Sequence, residues 1–334
     1  MTIHAQAAMA SKQSLKPFQY EPASLGPNDI EIAITHCGIC HSDIHLIDND
    51  WGVSAYPLVP GHEIIGTIMD AGGDVKHLKQ GQRVGVGWQR SSCLVCEQCV
   101  KGDENLCSEN RATCVGNHGG FAERIRTDSR FAFAIPETLA SENAAPLLCG
   151  GATVYSPLKH YGVVPSMRVG VIGIGGLGHL ALQFANAFGC EVTAFSSTSE
   201  KEKEARDFGA HRFIASTSAA DLKKATGSLD FILSTAFANL DWGAYLQLLR
   251  PNGKLCFVGV PSAPIQIHIG VLLGGQKSVC ASVIGSRNTI HEMLDFAARH
   301  DIEAKTEVMP LADVNKAIEK VRANKARYRM VLKN

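Results

Sequence analysis

Alternating apolar and polar residues mark the first 150 positions as a set of short strands. Glu31–Thr35 reads EIAIT, Ile64–Met69 reads IIGTIM and Arg83–Val86 reads RVGV. This period-two pattern, rich in β-branched residues and broken by glycine, predicts an irregular, mostly antiparallel unit. A loop-rich section, 91–117, follows, with few apolar residues apart from its cysteines. The pattern changes near residue 150. An apolar run at Arg168–Ile174 leads into glycines. Leu180, Phe184 and Phe188 then recur at helical spacing, and Gly189 stops the helix. A strand at Glu191–Phe195 and a charged helix at Ser199–Phe208 come next. Further strands are predicted at Arg212–Ala215, Asp230–Ser234, Lys254–Val260 and Ser278–Val283. Strands alternating with helices imply a parallel, doubly wound sheet. The chain closes with a helix at Asp313–Asn324 and a strand at Tyr328–Leu332.

Composition adds limits. The chain has 334 residues, and at about 150 residues per domain two domains are expected. Lys plus Arg is 32 and Asp plus Glu is 32, so no charged field favours nucleic acid or an anionic membrane. Val169–Cys190 and Leu255–Gln276 carry no charge, but the first holds six glycines and the second two prolines and four glycines. Neither reads as a lipid-facing helix, so no membrane span is expected. There is no secretory signal pattern. Eleven cysteines, an odd number, point to a reducing compartment, with cytoplasm as the expected location.

Three motifs carry chemistry. Cys93-x2-Cys96-x2-Cys99-x7-Cys107 offers four thiolates at a spacing that closes a tetrahedron around Zn²⁺. With all four positions taken by cysteine such a site is structural. A more scattered set is Cys40, His62 with Glu63, and Cys149 before Gly150-Gly151. Two thiolates and one imidazole leave a fourth position open, as catalytic zinc requires. Singly, each of these residues also reads as a packed cysteine or an ordinary surface histidine. The third motif is Gly173-Ile-Gly-Gly-Leu-Gly178, between a strand and a helix, the setting of a dinucleotide fingerprint. A glycine-rich packing turn is the alternative. The following strand ends in Ser196-Ser-Thr-Ser-Glu-Lys201 in place of the acidic residue that meets a ribose hydroxyl. Hydroxyls and a lysine suit a 2′-phosphate. Thr198 or Ser199 also fits as a helix cap.

With these motifs the sequence resembles the zinc-dependent medium-chain alcohol dehydrogenases. It is most similar to the cinnamyl alcohol dehydrogenase branch and its bacterial, NADPH-dependent, broad-specificity aldehyde reductases. The resemblance rests on CGICHSDIH (37–45), YPLVPGHEIIG (56–66), the four-cysteine lobe, GGFAE (119–123), PLLCGG (146–151), VGVIGIGGLGH (169–179), VTAFSS (192–197) and KARYRMVLK (325–333). It implies an α/β protein: a mainly-β, GroES-like catalytic domain over 1–150 with a return over 286–334, and a Rossmann domain over 151–285. It implies two zinc ions per chain, catalytic at Cys40, His62 and Cys149 and structural at Cys93, Cys96, Cys99 and Cys107. Glu63 becomes an alternative fourth ligand, Asp43 the carboxylate that orients His62, Ser42 the group bonding substrate oxygen, and His45 the proton relay. His41 and Arg329 are placed near the cofactor pyrophosphate. Gly173, Gly175, Gly176, Leu177 and Gly178 form the phosphate loop, and Ser196, Ser197 and Lys201 hold the 2′-phosphate of NADP(H).

The implied reaction is reversible hydride transfer between NADPH and aliphatic or aromatic aldehydes in the interdomain cleft. Trp51, Trp88 and Ile284 are candidates for the pocket rim, with an aromatic or aliphatic core role as the alternative for each. The rivals are a polyol or formaldehyde dehydrogenase of the same fold, and a non-catalytic NADPH-binding redox sensor. The exposed edge at Ser278–Val283 predicts a homodimer, with a tetramer as alternative.

Overall fold

The computed structural model describes residues 1–334 as two compact units, 1–149 with 285–334, and 150–284.

The first unit is built on antiparallel pairing. Its main sheet runs in the order Thr306–Pro310, Arg329–Lys333, Asp29–Ile39, Glu63–Ala71, Arg83–Val86, Ala132–Ala134, and Arg124–Asp128 also pairs with Asp29–Ile39. Only the first two of these strands are parallel. The inward faces present Ile30, Ile32, Ile34, Ile64, Ile68, Val84 and Val86 to one core. The helix Val314–Arg322 docks on that core through Val314, Ala317, Ile318 and Val321, an i, i+3, i+4, i+7 stripe. The N-terminus adds a hairpin, Ile3–Ala7 with Lys16–Tyr20, whose first strand buries Ile3, Ala5 and Ala7 by strict alternation.

The second unit carries a six-stranded parallel sheet in the order Arg212–Ala215, Glu191–Ser196, Arg168–Ile172, Leu229–Ser234, Leu249–Phe257, Ser278–Ala281. The chain starts in the middle of the sheet, winds outward to one edge, then crosses back and winds to the other. This is the Rossmann doubly wound topology, and its reversal point lies between Arg168–Ile172 and Leu229–Ser234. Burial on both faces explains the unbroken apolar runs VGVI and FIL. Ser278–Ala281 is an edge strand, and Val279 on it is partly exposed.

Boundaries differ from the pattern in places. The strand expected at 254–260 spans Leu249–Phe257, and the helix expected at 199–208 is a 3₁₀ turn, Ser199–Lys201, followed by Glu202–Asp207. The helix Gly150–His160 is not announced by periodicity, because most of its positions are buried and it holds Gly150, Gly151 and Pro157. The helix Arg287–Arg299 has a stripe at Ile290, Met293, Leu294 and Ala297 and an N-cap at Ser286; that signal stands in the sequence but is absent from the expectation above. No helix is long and apolar enough to cross a membrane.

Candidate active site

The strand Asp29–Ile39 ends at Cys40, which is the N-cap of the helix His41–Asp48. The first turn of this helix lifts Asp43 back under the strand end. Asp43 is fully buried, and its two oxygens accept three bonds: from the Cys40 amide at 2.9 Å, the Gly61 amide at 2.9 Å and His62 Nδ1 at 2.8 Å. A carboxylate on Nδ1 leaves the lone pair on Nε2, which faces Cys149 Sγ at 3.3 Å. Cys149 Sγ lies 4.0 Å from Cys40 Sγ. Donor atoms of Cys40, His62, Glu63 and Cys149 all fall within 4.8 Å of one another.

The donor groups act electrostatically on one another, and Cys149 is held well above the usual thiol range by its hydrogen bond to Cys40 and by burial. Cys40 is held well below the usual thiol range, because the Cys149 thiol donates to it and His62 stands beside it. His62 is held above its usual range, since Asp43 and Cys149 together outweigh the burial that opposes its charge. Glu63 is pushed up to about 7 by burial, against the pull of Arg329. Arg329 is itself buried and forms an ion pair with Glu63. The second Glu63 oxygen and Arg329 Nε have no partner. Two sulfurs and an imidazole nitrogen at zinc-bond lengths stand about 3.5–3.8 Å apart in a tetrahedron. The observed 3.3 and 4.0 Å fit that set.

Ser42 Oγ lies 3.7 Å from Cys40 Sγ. His45 is one turn further along the helix, and its Nδ1 meets Asp50 Oδ2 at 2.7 Å. Asp50 is a partner the sequence reading missed. It is brought there by Asn49, whose left-handed backbone ends the helix and turns the chain back over His45. His41 sits in the same helix, exposed, with its ring 6.5 Å from that of His45. Trp88 packs edge-on against His62 at 4.9 Å, Trp51 against Trp88 at 6.1 Å, and His45 lies 5.2 Å from Trp51. Trp88 therefore packs on the donor cluster, and Trp51 bridges Trp88 and His45. Ile284 is the last residue of the second unit.

The four-cysteine lobe closes on itself. Cys93 Sγ is 3.9 Å from Cys99 Sγ and 3.6 Å from Cys107 Sγ, and amides of Cys96 and Glu109 donate to Cys93 and Cys107 at 3.3 Å. Four sulfurs about 2.3 Å from a zinc ion stand about 3.8 Å apart. Cys93 is lowered to about 7, first by amide donation from Val95 and Cys96. The lobe has four soft donors and no disulfide, which fits a closed zinc site.

In the second unit the glycine loop follows Arg168–Ile172 at the topological reversal. Gly173 has φ +87, and a Cβ on Gly178 would sit 1.8 Å from the Gly173 carbonyl, so both positions demand glycine. A Cβ on Gly175 would meet nothing within 4 Å. The amides of Gly175, Gly176 and Leu177 have no acceptor in the protein and precede the helix Gly178–Ala187. This is the cradle an anionic pyrophosphate fits. Thr235, also missed in sequence, clamps the loop through Oγ1 to the carbonyls of Ile172 at 2.9 Å and Gly173 at 2.8 Å. Ser196 is buried at its strand end, with Oγ 3.4 Å from the Thr198 amide, and Ser197 is exposed. The turn at 199–201 has no side-chain cap, so neither Thr198 nor Ser199 plays that part. Lys201 Nζ donates to the Ile174 carbonyl at 2.7 Å, against the glycine loop.

Comparisons with known proteins agree with this picture. The family described as alcohol dehydrogenase GroES-like domain matches residues 26–137, and zinc-binding dehydrogenase matches 176–299. The chain is 45% identical over 330 residues to a protein of Synechocystis sp. named aldehyde reductase AdhA, covering 99% of this chain and 98% of that one. Among solved structures it is similar to a cinnamyl alcohol dehydrogenase of Sorghum bicolor, with TM-score 0.96, 39% identity and coverage of 100% and 98%. It is also similar to an enzyme of Helicobacter pylori titled CAD and complexed with NADP(H), with TM-score 0.92, 34% identity and coverage of 100% and 98%.

Proposed function

The chain belongs to the zinc-dependent medium-chain alcohol dehydrogenases of the cinnamyl alcohol dehydrogenase type, and on that premise we propose that it is an NADP(H)-dependent aldehyde reductase with two zinc ions per chain. Interconversion of alcohols and aldehydes is the activity of the family. The metal assignment rests above all on one observation: Cys40, His62 and Cys149, distant in sequence, converge with Glu63 in one donor cluster.

Cys40, His62 and Cys149 hold the catalytic metal, and Cys93, Cys96, Cys99 and Cys107 hold the structural one. When bound, zinc supplies Lewis-acid polarisation of a carbonyl, and the dinucleotide supplies the hydride. Everything else falls to the chain. Asp43 fixes the His62 tautomer and aims Nε2 inward. Arg329 holds Glu63 in place beside the donor set, where Glu63 is an alternative ligand. The Ser42 hydroxyl, next to Cys40, donates a proton to the substrate oxygen. His45 is the relay that replenishes it: with Nδ1 anchored on Asp50, Nε2 of the half-exposed ring takes a proton from water and passes it on through an intervening hydroxyl.

Gly173, Gly175, Gly176, Leu177 and Gly178 cradle the pyrophosphate. Preference for the phosphorylated dinucleotide is carried by Ser196, Ser197 and Lys201, none of which repels a phosphate. The relative titled as an NADP(H) complex supports the same choice. The unpaired edge at Ser278–Ala281 supports a homodimer, and eleven free cysteines support a cytoplasmic setting.

The test is a panel of aliphatic and aromatic aldehydes assayed with NADPH and with NADH. The expected result is reduction of several aldehydes with at least tenfold higher catalytic efficiency for NADPH. Equal efficiency with both cofactors contradicts the cofactor assignment. No turnover of any aldehyde by zinc-replete protein contradicts the reaction.

A further inference from the structure

A cavity of about 410 Å³ opens in the first unit, and neither the zinc-site donors nor Ser42 and His45 line it. Small-ligand sites span about 300–1,000 Å³. Its wall contains three hydrogen-bond donors that the protein leaves unused. Half-buried Arg90 gives one N–H to the Arg126 carbonyl at 2.9 Å, and no carboxylate comes within ion-pair distance of its guanidinium. The Tyr20 hydroxyl has no partner, and burial pushes its pKa up to about 12, so it remains an O–H donor. His118 stacks on Tyr20 with ring centroids 4.1 Å apart, and its buried Nδ1 is unpartnered. Burial, and then Arg90, hold His118 below its usual range, so its neutral ring offers a single N–H.

Asp29, on the same wall, is the carboxylate whose charge acts most on Arg90, but it makes no ion pair with it. Asp29 accepts the Gly26 amide at 3.0 Å, and Glu21 is exposed. Arg126, on the same wall, is already engaged by Glu31 and the Ala23 carbonyl. Arg90 thus keeps N–H groups with no carboxylate in hydrogen-bond reach, and a guanidinium fork matches a planar carboxylate bidentately. Ala55, Pro57 and Ile125 provide an apolar side for an organic body.

We propose that this cavity binds a small organic carboxylate, gripped by Arg90 with Tyr20 and His118 donating to the same anion, at a site separate from the redox centre. Calorimetric titration of the zinc-replete protein with benzoate tests it, alongside Arg90→Leu, Arg90→Lys and Cys149→Ala. The last variant removes a donor of the catalytic metal and so separates this cavity from a carboxylate bound on zinc. The expected result is saturable binding that weakens at least tenfold in Arg90→Leu, falls by less in Arg90→Lys and is unchanged in Cys149→Ala. Binding that is lost in Cys149→Ala, that survives intact in Arg90→Leu, or that never saturates overturns the proposal. If Arg90→Leu does not fold, Tyr20→Phe removes one O–H alone. A several-fold loss there supports the site, and undiminished binding overturns it.

Discussion

Asp43 Oδ1 and His62 Nδ1 lie 2.8 Å apart, both side chains without solvent exposure, and the same carboxylate accepts the amides of Cys40 and Gly61. One side chain thus positions two of the three proposed ligands. Asp43→Asn leaves one oxygen for three donors and turns an amide N–H₂ toward at least one of them. Affinity for the catalytic metal is expected to fall about 10- to 100-fold, read by chelator competition, while the four-cysteine site keeps its metal. Unchanged affinity at both sites contradicts this role.

His45 is anchored by Asp50 and lies one turn from Ser42. His45→Ala is expected to slow turnover about 10- to 1,000-fold with zinc content unchanged, the usual span for a general acid–base group. A variant with the parent rate across the pH range shows that His45 is only a surface residue.

Ser196 ends the second strand of the parallel sheet, the position proposed to face the ribose, and no side-chain cap uses the neighbouring hydroxyls. Ser196→Asp adds a negative charge at the strand end proposed to meet the 2′-phosphate. KM for NADPH is expected to rise at least tenfold, with NADH unaffected or improved. An equal change for both cofactors contradicts the assignment.

Glu31 gives a pH test of the scaffold. It is buried between Arg124 at 2.8 Å and Arg126 at 2.7 Å on the paired strand. Burial pushes its carboxyl up, but hydrogen bonds from Arg126 and Arg124 outweigh that, so the folded value lies below the usual one. The stabilisation is therefore full above the unfolded pKa and disappears as pH falls through the folded one. Glu31→Gln is expected to lower stability at pH 7 by about 1–2 kcal/mol, the lower part of the range for charged hydrogen bonds because the arginines are partly exposed. In urea unfolding the gap to the parent narrows below about pH 4. A gap that stays constant to pH 3 contradicts the linkage.

How much was legible in the sequence follows from locality. The cysteine lobe and the glycine loop are contiguous, so spacing alone expresses their geometry. The strand–turn–helix context fixed the loop at the reversal of the sheet. Cys40, His62 and Cys149 span 110 positions, and their joint meaning came from resemblance, because no local rule brings a strand end, a strand start and a helix start together. The His45–Asp50 contact depends on the left-handed backbone of Asn49, a conformation that side-chain patterning does not encode. Thr235 was missed for a similar reason: a small polar residue after an apolar strand looks like any loop residue until the parallel neighbour is known. Glu63 and Arg329 were each singled out, but their pairing crosses the sheet between residues 266 apart.

The central claim, an open catalytic metal site beside a closed structural one, is tested most directly by zinc analysis of Cys149→Ala together with its rate of NADPH-dependent aldehyde reduction. The account predicts two zinc ions per chain in the parent and one in Cys149→Ala, no turnover in the variant, and an unfolding midpoint close to that of the parent, whereas Cys96→Ala loses stability. Parent-like turnover by a Cys149→Ala protein, or an active parent that binds fewer than two zinc ions, contradicts it.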